Sequence, residues 1–158
     1  MHITTINIIK HMAGGVSDVP ALMDAVGIKE WQINSQLKDL IQLGYVVKEG
    51  NTVKLKDDLK PATIRELAKK INIEKILHGA NETIFSYLTE PISTNEIILK
   101  TEVSQSTVYR AISDFESVGA ITRTGDKICV NKSNEQLVLL ANSLKTEREN
   151  LYEPNAEI

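Results

Sequence analysis

The apolar and glycine positions of this chain follow one order twice, at an offset of 75 residues and without a gap. The matched pairs are Ile9 and Ile84, Met12 and Tyr87, Leu22 and Ile97, Ile28 and Val103, Ile33 and Val108, Leu37 and Ile112, Leu40 and Phe115, Gly44 and Gly119, Val46 and Ile121, Gly50 and Gly125, Val53 and Ile128, and Leu55 and Val130. Few of these pairs are identical, so the repeat is one of core and turn positions. It predicts two copies of one small domain.

In the first copy, the pattern predicts three helices followed by a β-hairpin. The first helix ends before residue 15, and Asp18 is the expected N-cap of the second helix, which Gly27 ends. The third helix is expected over about 29–43, with its apolar residues on one face. A hairpin over 45–55 turns at Gly50, where a positive φ is needed.

The second copy repeats this order. Its helices are expected over about 81–88, after Ser93 to about residue 101, and from Ser104 to about residue 118, and a hairpin follows over 120–130. Ser93 and Glu96 have capping-box spacing, which predicts a helix start.

These elements predict a mainly α fold with small β-hairpins. The expected divisions are a first domain over 1–58, a helical linker over 59–78, a second domain over 79–132, a C-terminal helix over 133–152 and a tail over 153–158. The linker face of Ile64 and Leu67 is expected to pack between the domains. A capping-box pattern from Ser133 to Gln136 is expected to begin the last helix.

Three short helices followed by a hairpin form the layout of a winged helix-turn-helix. The second copy reads STNEII over 93–98, VSQSTVYRAI over 103–112 and FESVGAI over 115–121. In these stretches it resembles the bacterial and archaeal winged-helix regulators of the ArsR and MarR type. The resemblance covers about residues 76–145, whereas the first copy matches in pattern only. It implies two winged helix-turn-helix domains in tandem, joined by a helical linker.

The resemblance also implies that the third helix of the second copy binds double-stranded DNA. The residues expected to contact DNA are Ser104, Gln105, Ser106, Thr107, Tyr109 and Arg110 on that helix, and Arg123 and Lys127 beside the hairpin turn. Hydroxyls at a helix N-terminus can reach phosphates, and Gln and Arg side chains can pair with base edges. Purely structural roles compete with this interpretation: Ser104 as an N-cap, and Arg110 paired with Asp114.

The first copy departs from this pattern on the equivalent helix. Trp31 stands at the position of Ser106, and Ile41 at the position of Glu116. Both are predicted interface residues, because a tryptophan anchors protein contacts better than it reads base edges. Burial of Trp31 in its own core is an equally weighted alternative. Secondary DNA contacts are expected from the lysines of this copy, Lys29, Lys38 and Lys48.

Regulators of the ArsR and MarR type commonly dimerise through terminal helices, so the resemblance implies a homodimer. The expected interface residues on the last helix are Leu137, Leu140 and Leu144. Packing of this helix on its own domain is the alternative.

Composition changes this picture only modestly. The chain has 158 residues, one cysteine and a net charge of −3. Residues 1–75 carry 11 Lys and Arg against 9 Asp and Glu, a net charge of +2, and residues 76–158 carry 7 against 12, a net charge of −5. An acidic total weakens the expectation of nucleic-acid binding. No apolar run approaches a membrane span, and the single cysteine fits a reducing compartment, so we expect a cytoplasmic protein.

No arrangement of residues typical of catalysis is visible. The three histidines, His2, His11 and His78, are scattered, and no metal-binding or phosphate-binding motif occurs. Cys129 is expected to pack in a hairpin strand, with a redox role as the minor alternative. We therefore expect no enzyme activity, no cofactor and no metal, and the sequence identifies no small-molecule effector. The predicted function is a DNA-binding transcriptional regulator; the competing one is a tandem winged-helix module that assembles proteins without sequence-specific DNA binding.

Overall fold

The computed structural model describes residues 1–152, and the side chains of residues 1–150. Within this range the chain is mainly helical, with nine helices and two small antiparallel sheets of two and three strands. The mainly α class with small β-hairpins is confirmed. The chain divides into two compact units: unit 1 covers Met1–Ile73, and unit 2 begins at Glu74. The predicted tail over 153–158 lies outside the described residues.

Unit 1 contains four helices and one hairpin. In chain order these are α1 (Ile3–Ala13), α2 (Val19–Val26), α3 (Glu30–Gln42), β1 (Val46–Glu49), β2 (Thr52–Leu55) and α4 (Leu59–Ala68). All of them contribute to one apolar core, whose buried residues include Ile6, Ile9, Leu22, Ile33, Leu37, Leu40, Val53, Ile64 and Leu67. Helix α4 packs on α1 and β2. The face of Ile64 and Leu67 therefore belongs to the core of unit 1, and the expectation that it packs between domains is corrected.

Local signals in the sequence set the ends of the unit 1 helices. The Asp18 carboxylate accepts a hydrogen bond from the N–H of Ala21 at 2.8 Å and so caps α2. Gly27 ends α2 with a left-handed backbone at φ 75°. The backbone N–H of Lys29 donates to the side-chain oxygen of Gln32 at 2.9 Å, which satisfies one free donor at the start of α3.

Unit 2 contains five helices and three strands among the described residues. In chain order these are α5 (Glu74–Leu77), α6 (Asn81–Phe85), β3 (Ile92–Ser93), α7 (Thr94–Thr101), α8 (Gln105–Ser117), β4 (Ile121–Thr124), β5 (Lys127–Val130) and α9 (Glu135–Tyr152). The strands lie in the order β3-β5-β4. Phe85 and Phe115 meet in the core with ring centroids 5.1 Å apart. The sequence did not predict β3, which has only two residues, and the helix expected over 81–88 ends at Phe85.

Helix α9 differs from the sequence prediction at two points. The side-chain oxygen of Asn134 accepts the N–H of Leu137 at 3.2 Å, so Asn134 begins the helix and the expected Ser133 box does not form. Leu137, Leu140 and Leu144 are only 1, 0 and 3% exposed, and α9 packs on α6 and β5. Because these leucines fill the core of their own unit, their assignment to an interface with a second chain is corrected.

The 75-residue offset of the sequence recurs in the element boundaries. Helices α2 and α7, helices α3 and α8, and the two strands of each hairpin begin and end at equivalent positions. A bridge from Asp18 to Thr52 in unit 1 corresponds to the pairing of Ser93 with Lys127 in unit 2. Helices α4 and α9 also correspond, since each follows a hairpin and packs on its second strand. Helix α5, which packs on α6 and α8, has no equivalent in unit 1.

Candidate nucleic-acid interface

Three hydroxyl groups meet at the N-terminus of α8. Ser104 is the N-cap, and its Oγ accepts the backbone N–H of Thr107 at 3.2 Å. The same oxygen lies 2.7 Å from the Thr107 hydroxyl and 3.2 Å from the Ser106 hydroxyl. The structural role expected for Ser104 is therefore present. The N–H groups of the first turn of α8 have no carbonyl partner within the helix, so this end of α8 combines backbone donors with hydroxyl groups.

The outward face of α8 is polar along its first half. Gln105, Ser106, Tyr109 and Arg110 are exposed, and Thr107 is half-buried. The side-chain amide of Gln105 donates to the Tyr109 hydroxyl at 3.4 Å. Arg110 forms no hydrogen bond or ion pair with any residue that the structure describes. Its guanidinium therefore keeps all five donors available.

Asp114, the expected partner of Arg110, is engaged elsewhere. Its carboxylate accepts a hydrogen bond from the side-chain amide of Asn81 at 3.0 Å and lies 3.6 Å from the Lys75 ammonium. These contacts join α8 to α6 and to α5. The pairing of Arg110 with Asp114 considered from the sequence is thus wrong, because Asp114 points to the side of α8 on which α5 packs.

The hairpin of unit 2 carries two cationic side chains, one of which forms an ion pair and one of which has no partner among residues 1–150. Arg123 on β4 donates from Nε to the Glu116 carboxylate at 2.7 Å, and its terminal nitrogen contacts the same oxygen. This ion pair connects the hairpin to the end of α8. Lys127 on β5 is exposed and has no ion-pair partner within residues 1–150. Sequence reasoning missed the Glu116–Arg123 pair, because it joins two elements through a contact that periodicity does not reveal.

The equivalent surface of unit 1 has a different character. Trp31 is 69% exposed, so its burial in the core of unit 1 is ruled out, and Ile41 is 42% exposed. Lys29, Lys38 and Lys48 are exposed, and their ammonium groups have no ion-pair partner in the described part of the chain. A groove of about 290 Å³ lies between α3 and β1, lined by Asn34, Leu37, Lys38, Ile41, Gln42 and Lys48. The sequence did not predict this groove.

The remaining candidates have ordinary local roles. The ring nitrogen Nδ1 of His2 accepts the N–H of Thr4 at 3.2 Å and caps α1. Cys129 is half-buried, with its sulfur 3.5 Å from the Thr122 hydroxyl, which agrees with a packing role. Within the described residues, no group of three or more His, Cys, Asp and Glu side chains is placed to hold a metal ion. Over that same range, no helix is long and apolar enough to cross a membrane.

No protein-family model matches the chain, and a search of curated proteins finds no significant match.

Proposed function

We propose that units 1 and 2 are winged helix-turn-helix domains in tandem, and that unit 2 binds double-stranded DNA as part of a transcriptional regulator. The order of elements supports the fold: in each unit two helices meet across a short turn, and a hairpin follows the second of them. In such domains the second helix of the pair enters the major groove, and the hairpin lies beside it. Helix α8 is then the recognition helix of unit 2.

The observation that carries this proposal is the available guanidinium of Arg110 on the exposed polar face of α8. A major groove about 12 Å wide admits a helix, and an arginine there pairs bidentately with the O6 and N7 of guanine. Gln105, five residues earlier on the helix, can pair in the same way with adenine. Ser104, Ser106, Thr107 and Tyr109 offer hydroxyls for phosphate oxygens.

The hairpin adds few charges to this surface. Lys127 is available for a phosphate, whereas Arg123 is held by Glu116. Asp126 in the hairpin turn is exposed and adds a negative charge beside Lys127. Because the affinity and its salt dependence both grow with the number of neutralised phosphates, one copy of unit 2 binds DNA weakly and with a shallow dependence on salt.

Weak binding by one copy is the reason to keep the homodimer in the proposal. Two recognition helices related by two-fold symmetry read a palindromic site, with half-sites about 34 Å apart, one turn of the DNA helix. The leucines of α9 lie in the core of unit 2, so a different surface of the chain forms this dimer.

A binding assay with Arg110→Ala tests the proposal. Fragments of genomic DNA are titrated with the full-length protein over a range of salt concentrations. The wild type is expected to bind at low salt and to lose affinity as salt rises. The variant is expected to bind its preferred fragments about 1–3 kcal/mol more weakly, with relaxed specificity, if Arg110 pairs with a base. If Arg110 contacts a phosphate, the salt slope falls by about one contact instead.

Lys70→Ala is the matched control, since it removes from unit 1 one exposed positive charge that has no ion-pair partner within residues 1–150. Its binding curve should follow that of the wild type. No retention of any fragment at low salt by the wild type contradicts the proposal, as does equal weakening by both substitutions.

Protein–protein assembly is the second candidate function, and the exposure of Trp31 favours it for unit 1. A large aromatic side chain that is 69% exposed, on a helix face that is otherwise mostly polar, is typical of an interface anchor. The two functions occupy different units, so one chain can hold both.

A further inference from the structure

Unit 1 has a groove between α3 and β1 at the position where an ion pair joins the equivalent helix and strand of unit 2. In unit 2, Glu116 and Arg123 join the end of α8 to β4. At an offset of 75 residues, their positions are held by Ile41 and Lys48. An isoleucine cannot pair with an ammonium group, so no ion pair crosses from α3 to β1 there, and both side chains line the groove instead.

The lining of the groove is cationic and amphipathic. It contains the ammonium groups of Lys38 and Lys48 and no carboxylate. Neither lysine has an ion-pair partner within the described part of the chain. Ile41 supplies accessible aliphatic surface, whereas Leu37, also in the lining, is only 1% exposed. The side-chain amides of Asn34 and Gln42 can both donate and accept hydrogen bonds, as a peptide backbone requires.

Trp31 extends this surface toward the N-terminus of α3. It lies three residues before Asn34, and side chains at that spacing are neighbours on a helix surface. Its exposed ring can pack against a large apolar side chain of a bound molecule. Aromatic side chains are enriched in protein interfaces, and the rim of an interface is polar.

We propose that the α3–β1 groove binds an acidic segment of a partner protein that also carries a large apolar side chain. Carboxylates of the segment pair with Lys38 and Lys48, its large apolar side chain packs on Trp31, and aliphatic parts of the segment lie against Ile41. DNA fits this surface less well, because phosphates placed against the apolar surface of Trp31 and Ile41 would lose hydration without gaining enough hydrogen bonds. The inference does not depend on DNA binding by unit 2.

Selection from a displayed library of short random peptides tests the proposal on the full-length protein. The enriched peptides are expected to be rich in Asp and Glu and to contain a large apolar residue. One enriched peptide is then synthesised and titrated while the emission of Trp31 is recorded. Trp31 is the only tryptophan of the chain, so a shift of its emission to shorter wavelength reports directly on this surface.

Two substitutions are designed to remove binding without disturbing the core. Ile41→Glu places a carboxylate where unit 2 has Glu116, so that it pairs with Lys48 and closes the groove. Lys48→Glu reverses one charge of the rim. Each substitution is expected to lower the affinity for the peptide about tenfold or more, as expected for the loss of one charge-assisted contact. Leu99→Glu, at a leucine that is 78% exposed on α7, is the matched control for Ile41→Glu, and Lys70→Glu, at an exposed lysine of unit 1, is the control for the charge reversal; both should bind the peptide like the wild type.

The opposite results are equally clear. Enrichment of neutral or basic peptides, or no enrichment, overturns the proposal. So does an acidic peptide whose affinity is unchanged by both Ile41→Glu and Lys48→Glu in variants that unfold cooperatively. If Lys48→Glu instead weakens retention on a DNA duplex while no peptide is selected, the groove contacts nucleic acid and the partner assignment is wrong. Loss of DNA binding in the Arg110→Ala variant alone would concern the proposed DNA contact of unit 2 and would not affect the proposal for the groove of unit 1.

Discussion

Glu102 occupies the backbone conformation that Gly27 holds in the other unit. Both residues end a helix, α7 and α2, with a left-handed backbone at φ 57° and φ 75°. Glu102 is the only non-glycine residue with positive φ among the described residues. A side chain in this region is strained by the approach of Cβ to the carbonyl oxygen. In unit 2, the turn between α7 and α8 therefore has the same backbone geometry as the turn between α2 and α3 in unit 1, but at a cost in conformational energy.

Gly27→Ala is expected to lower the free energy of unfolding by about 1–2 kcal/mol, because alanine is strained at φ 75°. No neighbouring atom lies within 4 Å of the added Cβ, so the effect comes from the backbone alone. Urea denaturation measures it. The matched control is Gly14→Ala, where φ is −79° and the nearest atom is 3.5 Å away, which is ordinary contact. Equal stability of the two variants would contradict this prediction.

The sequence did not decide whether the single tryptophan, Trp31, is buried or exposed. Helical spacing places Trp31 about 100° from each of its neighbours, but its large apolar ring favoured burial as much as exposure. The structure places it 69% exposed, on the side of α3 opposite the buried Ile33, Leu37 and Leu40.

At the scale of elements, the connection between a helix and its hairpin distinguishes the two units. In unit 2 the Glu116–Arg123 pair joins α8 to β4, with both side chains about half exposed. An exposed pair of this kind contributes little to stability, roughly 0–1 kcal/mol. Its main consequence is electrostatic, because Glu116 neutralises the arginine nearest to the hairpin turn. In the proposed complex with DNA, Glu116 would therefore limit the number of phosphates that the hairpin can neutralise.

Glu116→Gln is expected to strengthen DNA binding by unit 2, since it removes a negative charge and frees Arg123 for a phosphate. The salt dependence of binding should steepen by about 0.9 in log affinity against log salt, the slope of one added phosphate contact. The measurement is the same titration over salt that tests Arg110. Stability should change by less than about 1 kcal/mol in urea denaturation.

Glu149→Gln serves as the control for this prediction. It also removes a carboxylate from a pair, with Lys145 on α9. Its affinity for DNA should rise less than that of Glu116→Gln, because α9 contributes none of the proposed contacts. Weaker binding by Glu116→Gln than by the wild type would show that the pair holds the hairpin in its binding position.

At the scale of the whole molecule, the chain consists of two units that each have their own core. Ile9, Leu37 and Leu67 are buried in unit 1, and Phe85, Phe115 and Leu140 in unit 2. Domains of this size bury enough apolar surface to fold alone, although with small margins of stability. The functions proposed for the two units, DNA binding and capture of an acidic segment, can accordingly be separated by dividing the chain.

Residues 1–73 and 74–158, produced separately, are each expected to unfold cooperatively, with stabilities of about 3–5 kcal/mol or less. The second fragment should retain DNA binding with lower affinity than the full chain, and the first should retain the selected acidic peptide. Circular dichroism during urea denaturation and the two binding assays provide the measurements. A fragment without a cooperative transition would show that its core needs the other unit.

The sequence by itself determined where the elements lie. Asp18, Ser93 and Ser104 cap helices because short polar side chains accept the free N–H groups of the first turn. Gly44, Gly50 and their equivalents adopt positive φ because only glycine does so without strain. These are local effects within a few residues, and the 75-residue repeat made each of them readable twice. Where the local signal was weak, the prediction was wrong: the two-residue strand β3 was not predicted, and the capping box expected at Ser133 does not form.

Only the tertiary structure decided which side chains are available to a partner. In the folded chain the Asp114 carboxylate contacts Asn81 and Lys75, and Arg123 pairs with Glu116. Arg110 has no partner among the described residues. The tertiary structure also buried the leucines of α9 and opened the groove beside Ile41. Each of these outcomes depends on contacts between elements distant in the chain. Helical periodicity reports the direction in which a side chain points, whereas the neighbour that it meets depends on how the elements pack.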